Sequence, residues 1–210
     1  MVKTVIIDYG MGNLRNVQKA FEHIGIAAEI SSQGQDLLEA DGLVLPGVGA
    51  FGDAMDNLNN AGLIAPIQQS VANGRPLIGI CLGLQLLFQS SNEMGEHQGL
   101  GLLPGRVVRF GNELKVPHIG WNQLDFAAQA ASSPLLKGLG DHGYAYFVHS
   151  YHAVPADKSC ILTTSSYGID FVSMVQRENV FGAQFHPEKS QEVGLGILRN
   201  FAEIVKGHAR

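Results

Sequence analysis

An α/β fold is what this sequence predicts: an open, mixed and largely parallel sheet with helices on both faces and antiparallel strands in its C-terminal half. Three observations predict it. Through the first half, short apolar β-rich runs alternate with segments of helical period, the pattern of successive βαβ units. Through the second half, strand-like runs follow one another with no helical period between them, as in hairpins. A helical pattern over residues 192–205 then closes the chain.

Element by element, Thr4-Val5-Ile6-Ile7-Asp8 reads as a buried strand ending in the turn Gly10-Met11-Gly12. Leu14, Val17, Phe21 and Ile24 recur at helical spacing, with Gly25 at the C-cap position. Gly42-Leu43-Val44-Leu45 is a second strand, stopped by Pro46-Gly47. Residues 53–71 read as helical, broken or kinked at Gly62 and Pro66. Leu77-Ile78-Gly79-Ile80 is a third strand, followed by a helix over 82–89. The strand-like runs of the second half begin at Arg106, Tyr144, Cys160, Phe171 and Val180. No linker or internal repeat divides the chain, so residues 1–210 are expected to form one domain.

Of the 210 residues, 45% are apolar and 16% charged, enough to build a core and too apolar for a disordered chain. The formal net charge of −5 argues against a nucleic-acid partner. Only Cys81 and Cys160 carry thiols, too few for a disulfide framework and consistent with a reducing compartment. The first ten residues are too short in apolar content for a signal-peptide core, and no apolar run reaches membrane-spanning length. These features predict a soluble, cytoplasmic protein.

Three segments carry chemistry. Gly79-Ile80-Cys81-Leu82-Gly83 has the layout of a nucleophile elbow, with cysteine as the nucleophile. Glycines permit the strained turn, and the N-terminus of the following helix favours the thiolate. Phe185-His186-Pro187-Glu188 follows a strand. Pro187 fixes the local backbone as extended, so His186 and Glu188 share a face and a carboxylate can orient the imidazole that serves the thiol. Leu45-Pro46-Gly47-Val48-Gly49-Ala50-Phe51 leaves the C-terminal end of a strand, where ligand crevices form. Its small residues let backbone N–H groups approach a substrate oxygen. A phosphate-cradling turn is the rival for that segment, although no P-loop lysine follows. Gln85 lies one helical turn after Cys81 and can face the same crevice. The histidines 97, 118, 142, 149, 152 and 208 show no metal-ligand spacing, and Cys160 reads as a buried structural thiol.

Taken together, P-G-V-G-A-F, G-I-C-L-G-L-Q and F-H-P-E-K-S, in that order, resemble the class I, triad-type glutamine amidotransferases. The segments at residues 8–14, 117–122 and 146–151, with Lys189, more narrowly resemble the glutaminase subunits of imidazole glycerol phosphate synthases. The likeness spans essentially the whole chain. It implies that Cys81, His186 and Glu188 hydrolyse L-glutamine to glutamate and ammonia through a thioester. It implies oxyanion N–H groups from Gly49 and Leu82, and a glutamine pocket of Gln85, Glu93, Ser150 and Tyr151. It also implies a heterodimer with a (β/α)8-barrel cyclase subunit and no metal or organic cofactor. Asn13, His118, Trp121, Asn122 and Lys189 are the interface candidates. Trp121, alone among polar residues and glycine, is the expected anchor. Glutaminase subunits of anthranilate or aminodeoxychorismate synthases, a partner-independent γ-glutamyl cysteine hydrolase and an inactive scaffold are the competing readings.

Overall fold

The computed structural model describes residues 2–111, 113, 115–140 and 142–209. Met1, Asn112, Leu114, Asp141 and Arg210, part of the 1–210 extent expected for the domain, lie outside the described residues. In chain order the first half runs β1 (Thr4–Ile7), α1 (Leu14–His23), β2 (Ala28–Ser31), α2 (Gly34–Glu39), β3 (Gly42–Gly47), α3 (Phe51–Asn60), α4 (Ile64–Ala72), β4 (Leu77–Cys81) and α5 (Leu82–Leu86). The second half runs β5 (Phe88–Ser91), β6 (His97–Gln98), β7 (Leu103–Arg109), β8 (His118–Phe126), β9 (His142–His149), β10 (Tyr151–Pro155), β11 (Ile161–Tyr167), β12 (Ile169–Arg177), β13 (Val180–Ala183) and α6 (Gln191–His208).

Among the described residues, one sheet has the order β2-β1-β3-β4-β13-β12-β11-β8-β9. It is parallel from β2 to β13 and antiparallel from β13 to β9. Alternation along the strands divides the core between its two faces. Ile6, Val44, Ile78 and Ile80 pack with Phe21 of α1 and Phe201 of α6. Val5, Ile7, Leu43, Leu45 and Leu77 pack with Leu37, Leu58, Ile67 and Leu84 of α2 to α5. The expected mixed sheet with helices on both faces is therefore what forms.

A second, small sheet, β10-β7-β5-β6, was not legible in the sequence. Its β5 takes Phe88 and Gln89, which the helical pattern assigns to α5. The helix instead stops after five residues, all buried. A helix apolar on every side has no amphipathic stripe, so periodicity could not mark its end. Pro66 is a second correction. It sits in the first turn of α4, where its missing N–H costs no helical bond. The break falls at Gly62 alone, whose φ of 67° ends α3 while Leu63 N–H donates to Leu58 O. Cys160 closes a short 3₁₀ turn rather than starting a strand.

Candidate active site

β4 ends on Cys81 and α5 starts on Leu82 with no residue between them. That junction forces Cys81 to φ 56° and ψ −111°, a conformation L-residues avoid unless the surroundings impose it. The surroundings do so by close packing. A Cβ on Gly83 would collide with the carbonyl oxygen of Leu45, and one on Gly79 would lie 2.5 Å from the carbonyl oxygen of Gly83. The elbow is thus pressed against β3, and Cys81 is held at the floor of a cleft of about 370 Å³. The cleft is also lined by Gly49, Leu82, Gln85, Glu93, Ser150, Tyr151 and His186.

His186 enters the cleft from the segment after β13. Its Nδ1 lies 2.8 Å from Glu188 Oε1, and both side chains are at least 96% buried. The contact does not arise as expected. His186 is extended, but Pro187–Lys189 form a 3₁₀ turn, and the turn swings the carboxylate back under the ring. Ser190 fastens it: its hydroxyl donates to His186 O at 2.7 Å and accepts the Tyr146 N–H at 3.0 Å. Because a carboxylate accepts, Nδ1 carries the proton and Nε2 faces the thiol side. Nε2 is buried and makes no hydrogen bond of ordinary geometry among the described residues. Burial by itself depresses the imidazole; the neighbouring Cys81 and Glu188 outweigh it and raise His186 to about 9.

Opposite the imidazole, Leu82 occupies the first position of α5, whose N–H the helix leaves without an internal partner. Gly49 has φ 98°, a left-handed conformation that favours glycine, and the nearest atom to a Cβ there would be the mobile Met11 methyl at 2.7 Å. Tyr9 supports the strand that carries this segment: its buried hydroxyl donates to Pro46 O at 2.9 Å. Gln85 is 5% exposed and donates through Nε2 to Tyr151 O at 2.9 Å and to Gln184 Oε1 at 3.1 Å. Glu93 is not simply solvated. Its Oε2 accepts the Phe51 N–H at 2.8 Å, at the N-terminus of α3. Gly49, Leu82, Gln85, Glu93, Ser150, Tyr151 and His186 thus line one cleft with Cys81, and Glu188 lies behind His186.

Gln184 and His149 were missed. Gln184 is fully buried with Nε2 3.9 Å from Cys81 Sγ. A glutamine inside the apolar run Val-Phe-Gly-Ala-Gln-Phe is the signal that could have found it. His149 lines the cleft, hydrogen-bonds through Nδ1 to Tyr151 O at 2.8 Å, and is held down to about 3 by burial.

The interface candidates divide. Trp121 is 48% exposed and pairs across the β8–β9 ladder with Tyr146, ring centroids 6.1 Å apart. Lys189 Nζ stands 5.9 Å from the centroid of the same tyrosine ring. Asn13 is exposed at the start of α1. His118 is a correction: only 4% exposed, it stacks on Tyr167 and lies 3.3 Å from His149. Asn122 shares its face, 3.4 Å from His118 Nε2, and donates to Ser166 O at 2.9 Å. Strand residues three apart point to opposite faces, so His118 cannot join Trp121.

A family model described as "Glutamine amidotransferase class-I" matches residues 5–205. The "Imidazole glycerol phosphate synthase subunit HisH" of Syntrophotalea carbinolica is 54% identical over 207 residues, covering 95% of this chain and 99% of its own. The protein of the same name from Aquifex aeolicus is 53% identical over 201 residues, covering 95% and 96%. Among solved structures, PurLQS from Thermotoga maritima superposes with a TM-score of 0.75 at 18% identity, over 97% of this chain and 99% of that one, a likeness of fold alone.

Proposed function

The chain belongs to the class-I glutamine amidotransferases, and we propose that it is the glutaminase subunit of an imidazole glycerol phosphate synthase. Identity above one half across nearly the whole of both chains supports carrying that assignment over. The observation that carries the chemistry is that Cys81, at a strained strand-to-helix turn, shares one cleft with His186, whose Nδ1 lies 2.8 Å from Glu188.

In this reading Cys81 Sγ, as thiolate, attacks the side-chain amide carbon of L-glutamine. The carbonyl π electrons move to oxygen, and the N–H groups of Leu82 and Gly49 stabilise that oxyanion. When the intermediate collapses, the C–N bond breaks and His186 Nε2–H gives its proton to the leaving nitrogen, releasing ammonia. A γ-glutamyl thioester remains on the sulfur. Neutral His186 then takes a proton from water, the water oxygen bonds to the thioester carbon, and collapse of the second intermediate expels the thiolate with glutamate. Glu188 keeps the Nδ1–H tautomer and balances the imidazolium at each step. Gln85, Glu93 and the backbone of Ser150 and Tyr151 hold the amino-acid end of the substrate.

The partner is a cyclase subunit, a (β/α)8 barrel joined as a heterodimer in the cytoplasm. It uses the ammonia to form imidazole glycerol phosphate and an aminoimidazole carboxamide ribotide. The test is glutamate release from glutamine, with and without the barrel subunit and its nucleotide ligand. Release that depends on the barrel supports the assignment. Release from γ-glutamyl peptides by the chain alone, or none under any condition, overturns it.

A further inference from the structure

The buried amides beside the nucleophile form a chain of hydrogen bonds whose directions are fixed. Tyr151 O is a backbone carbonyl and can only accept, so the side-chain group facing it at 2.9 Å is the Gln85 NH2. The same NH2 faces the Gln184 amide at 3.1 Å, so Gln184 must present its oxygen there. The other end of the Gln184 amide, a donor, is then turned to Cys81 Sγ at 3.9 Å. Neither amide can flip without setting two donors, or two acceptors, against each other. The backbone does not permit drift, because Gln184 N–H donates to Ser173 O at 2.9 Å and the side chain is fully buried. With oxyanion donors reserved for substrate and His186 given to proton transfer, Gln184 is a second side-chain donor turned to the sulfur, and one that carries no proton in the reaction.

We propose that Gln184 is a further catalytic residue, an N–H donor to the Cys81 thiolate that Gln85 holds in the productive orientation. A hydrogen bond accepted by the charged sulfur favours that form over the thiol. It also sets the direction of the sulfur lone pairs, which matters for attack on a carbon held in the cleft. The chain begins at Tyr151, a wall of the cleft, and ends on the nucleophile, so the group that lines the substrate side and the group that meets the sulfur are mechanically one unit. The meaning of the contact for glutamine turnover rests on the glutaminase reading, but the contact does not.

Gln184→Met removes the donor at nearly constant volume. Its expected effect is a fall of about tenfold in the rate of Cys81 carbamidomethylation at one fixed neutral pH, the scale of losing a hydrogen bond to a charged acceptor. In the complex with the barrel subunit, kcat for glutamine should fall by about the same factor with little change in KM, because the lost contact is to the nucleophile. Gln85→Met should slow labelling less than Gln184→Met does and should also raise KM. A purely structural role would lower the melting temperature and leave the labelling rate of the folded protein alone. The wild-type protein supplies a readout independent of any variant: the side-chain NH2 resonances of Gln184 should shift when Cys81 is alkylated. Wild-type labelling by folded Gln184→Met, or unmoved Gln184 resonances, overturns the proposal. Normal labelling and resonance shifts in a chain that never hydrolyses glutamine would instead overturn the glutaminase reading and leave the contact standing.

Discussion

His186 donates its backbone N–H to the carbonyl of Tyr146 at 3.1 Å, and the ring of that tyrosine is the one on which Trp121 and Lys189 converge. One residue of β9 thus touches the base of the cleft through its main chain and the exposed aromatic surface through its side chain. The orientation of the imidazole and the shape of that surface are set together.

Cys81→Ala should abolish glutamine-dependent synthesis by the complex, by roughly a thousandfold or more, since nucleophile and base act as a unit. Synthesis from added ammonium salts should survive, because the barrel's own chemistry is untouched. Product formation with each nitrogen source is the assay. Near-normal turnover with glutamine would remove Cys81 from the nucleophile's role.

His186→Ala should cost more than Glu188→Gln, because the imidazole moves the proton while the carboxylate aims and balances it. The pair also gives a signature in stability. His186 is raised from its ordinary 6.5 to about 9 in the folded protein. A raised value means the folded state holds the proton more tightly, so the stabilisation is full below about pH 6.5 and is lost as pH climbs through about 9. Thermal melts of wild type should therefore fall between those pH values more steeply than melts of His186→Ala. Parallel curves would contradict the raised imidazole.

The two thiols should differ in reactivity. Cys160 is buried at the end of a 3₁₀ turn, and burial, with Asp157 adding to it, pushes it up to about 11. Little of it is thiolate at neutral pH. Cys81 lies in the cleft beside His186. Iodoacetamide labelling read by peptide mass should modify Cys81 at least about tenfold faster. Equal rates in the folded protein would show that the cleft does not activate its thiol.

How much of this could be read from the chain follows from what each signal encodes. Thr4-Val5-Ile6-Ile7 and Leu77-Ile78-Gly79-Ile80 are apolar on both faces, as strands buried from both sides must be, so the parallel sheet was legible. The placement of Cys81 at a strand-to-helix turn and of His186 beside Glu188 was legible because nucleophile chemistry of the proposed kind needs those residue types at turns and strand ends. The end of α5 was not, since a uniformly buried run has no period to lose. Nor was the 3₁₀ turn at Pro187–Lys189, because proline is compatible with an extended residue and with a turn alike. His118 was placed on the wrong face because motif membership says nothing of the pleat. Counting by twos from the exposed Ile119 and Trp121 would have sent it inward.

That pleat sharpens the last prediction, which concerns the docking surface. Trp121 and Ile119, both exposed, lie on one face of β8, while His118 turns to the other. Lys189 reaches the same patch from the turn that carries Glu188, through the Tyr146 ring. The edge-on contact of Trp121 with Tyr146 restricts its ring before any partner arrives, which lowers the ordering entropy that opposes docking. Ammonia released into water is lost to dilution and protonation, which favours a partner seated against the cleft, and this patch adjoins it. Trp121→Ala should therefore weaken association with the barrel subunit by about 2 kcal/mol if the residue anchors the interface, and Lys189→Ala by less, since a rim charge is partly screened. His118→Ala should behave differently. It opens a cavity against Tyr167 and Phe147, so it should lower the melting temperature of the isolated chain. Calorimetric titration of each variant with the barrel subunit, alongside a thermal melt, separates the two kinds of effect. Wild-type affinity in both Trp121→Ala and Lys189→Ala would place the partner elsewhere on the molecule.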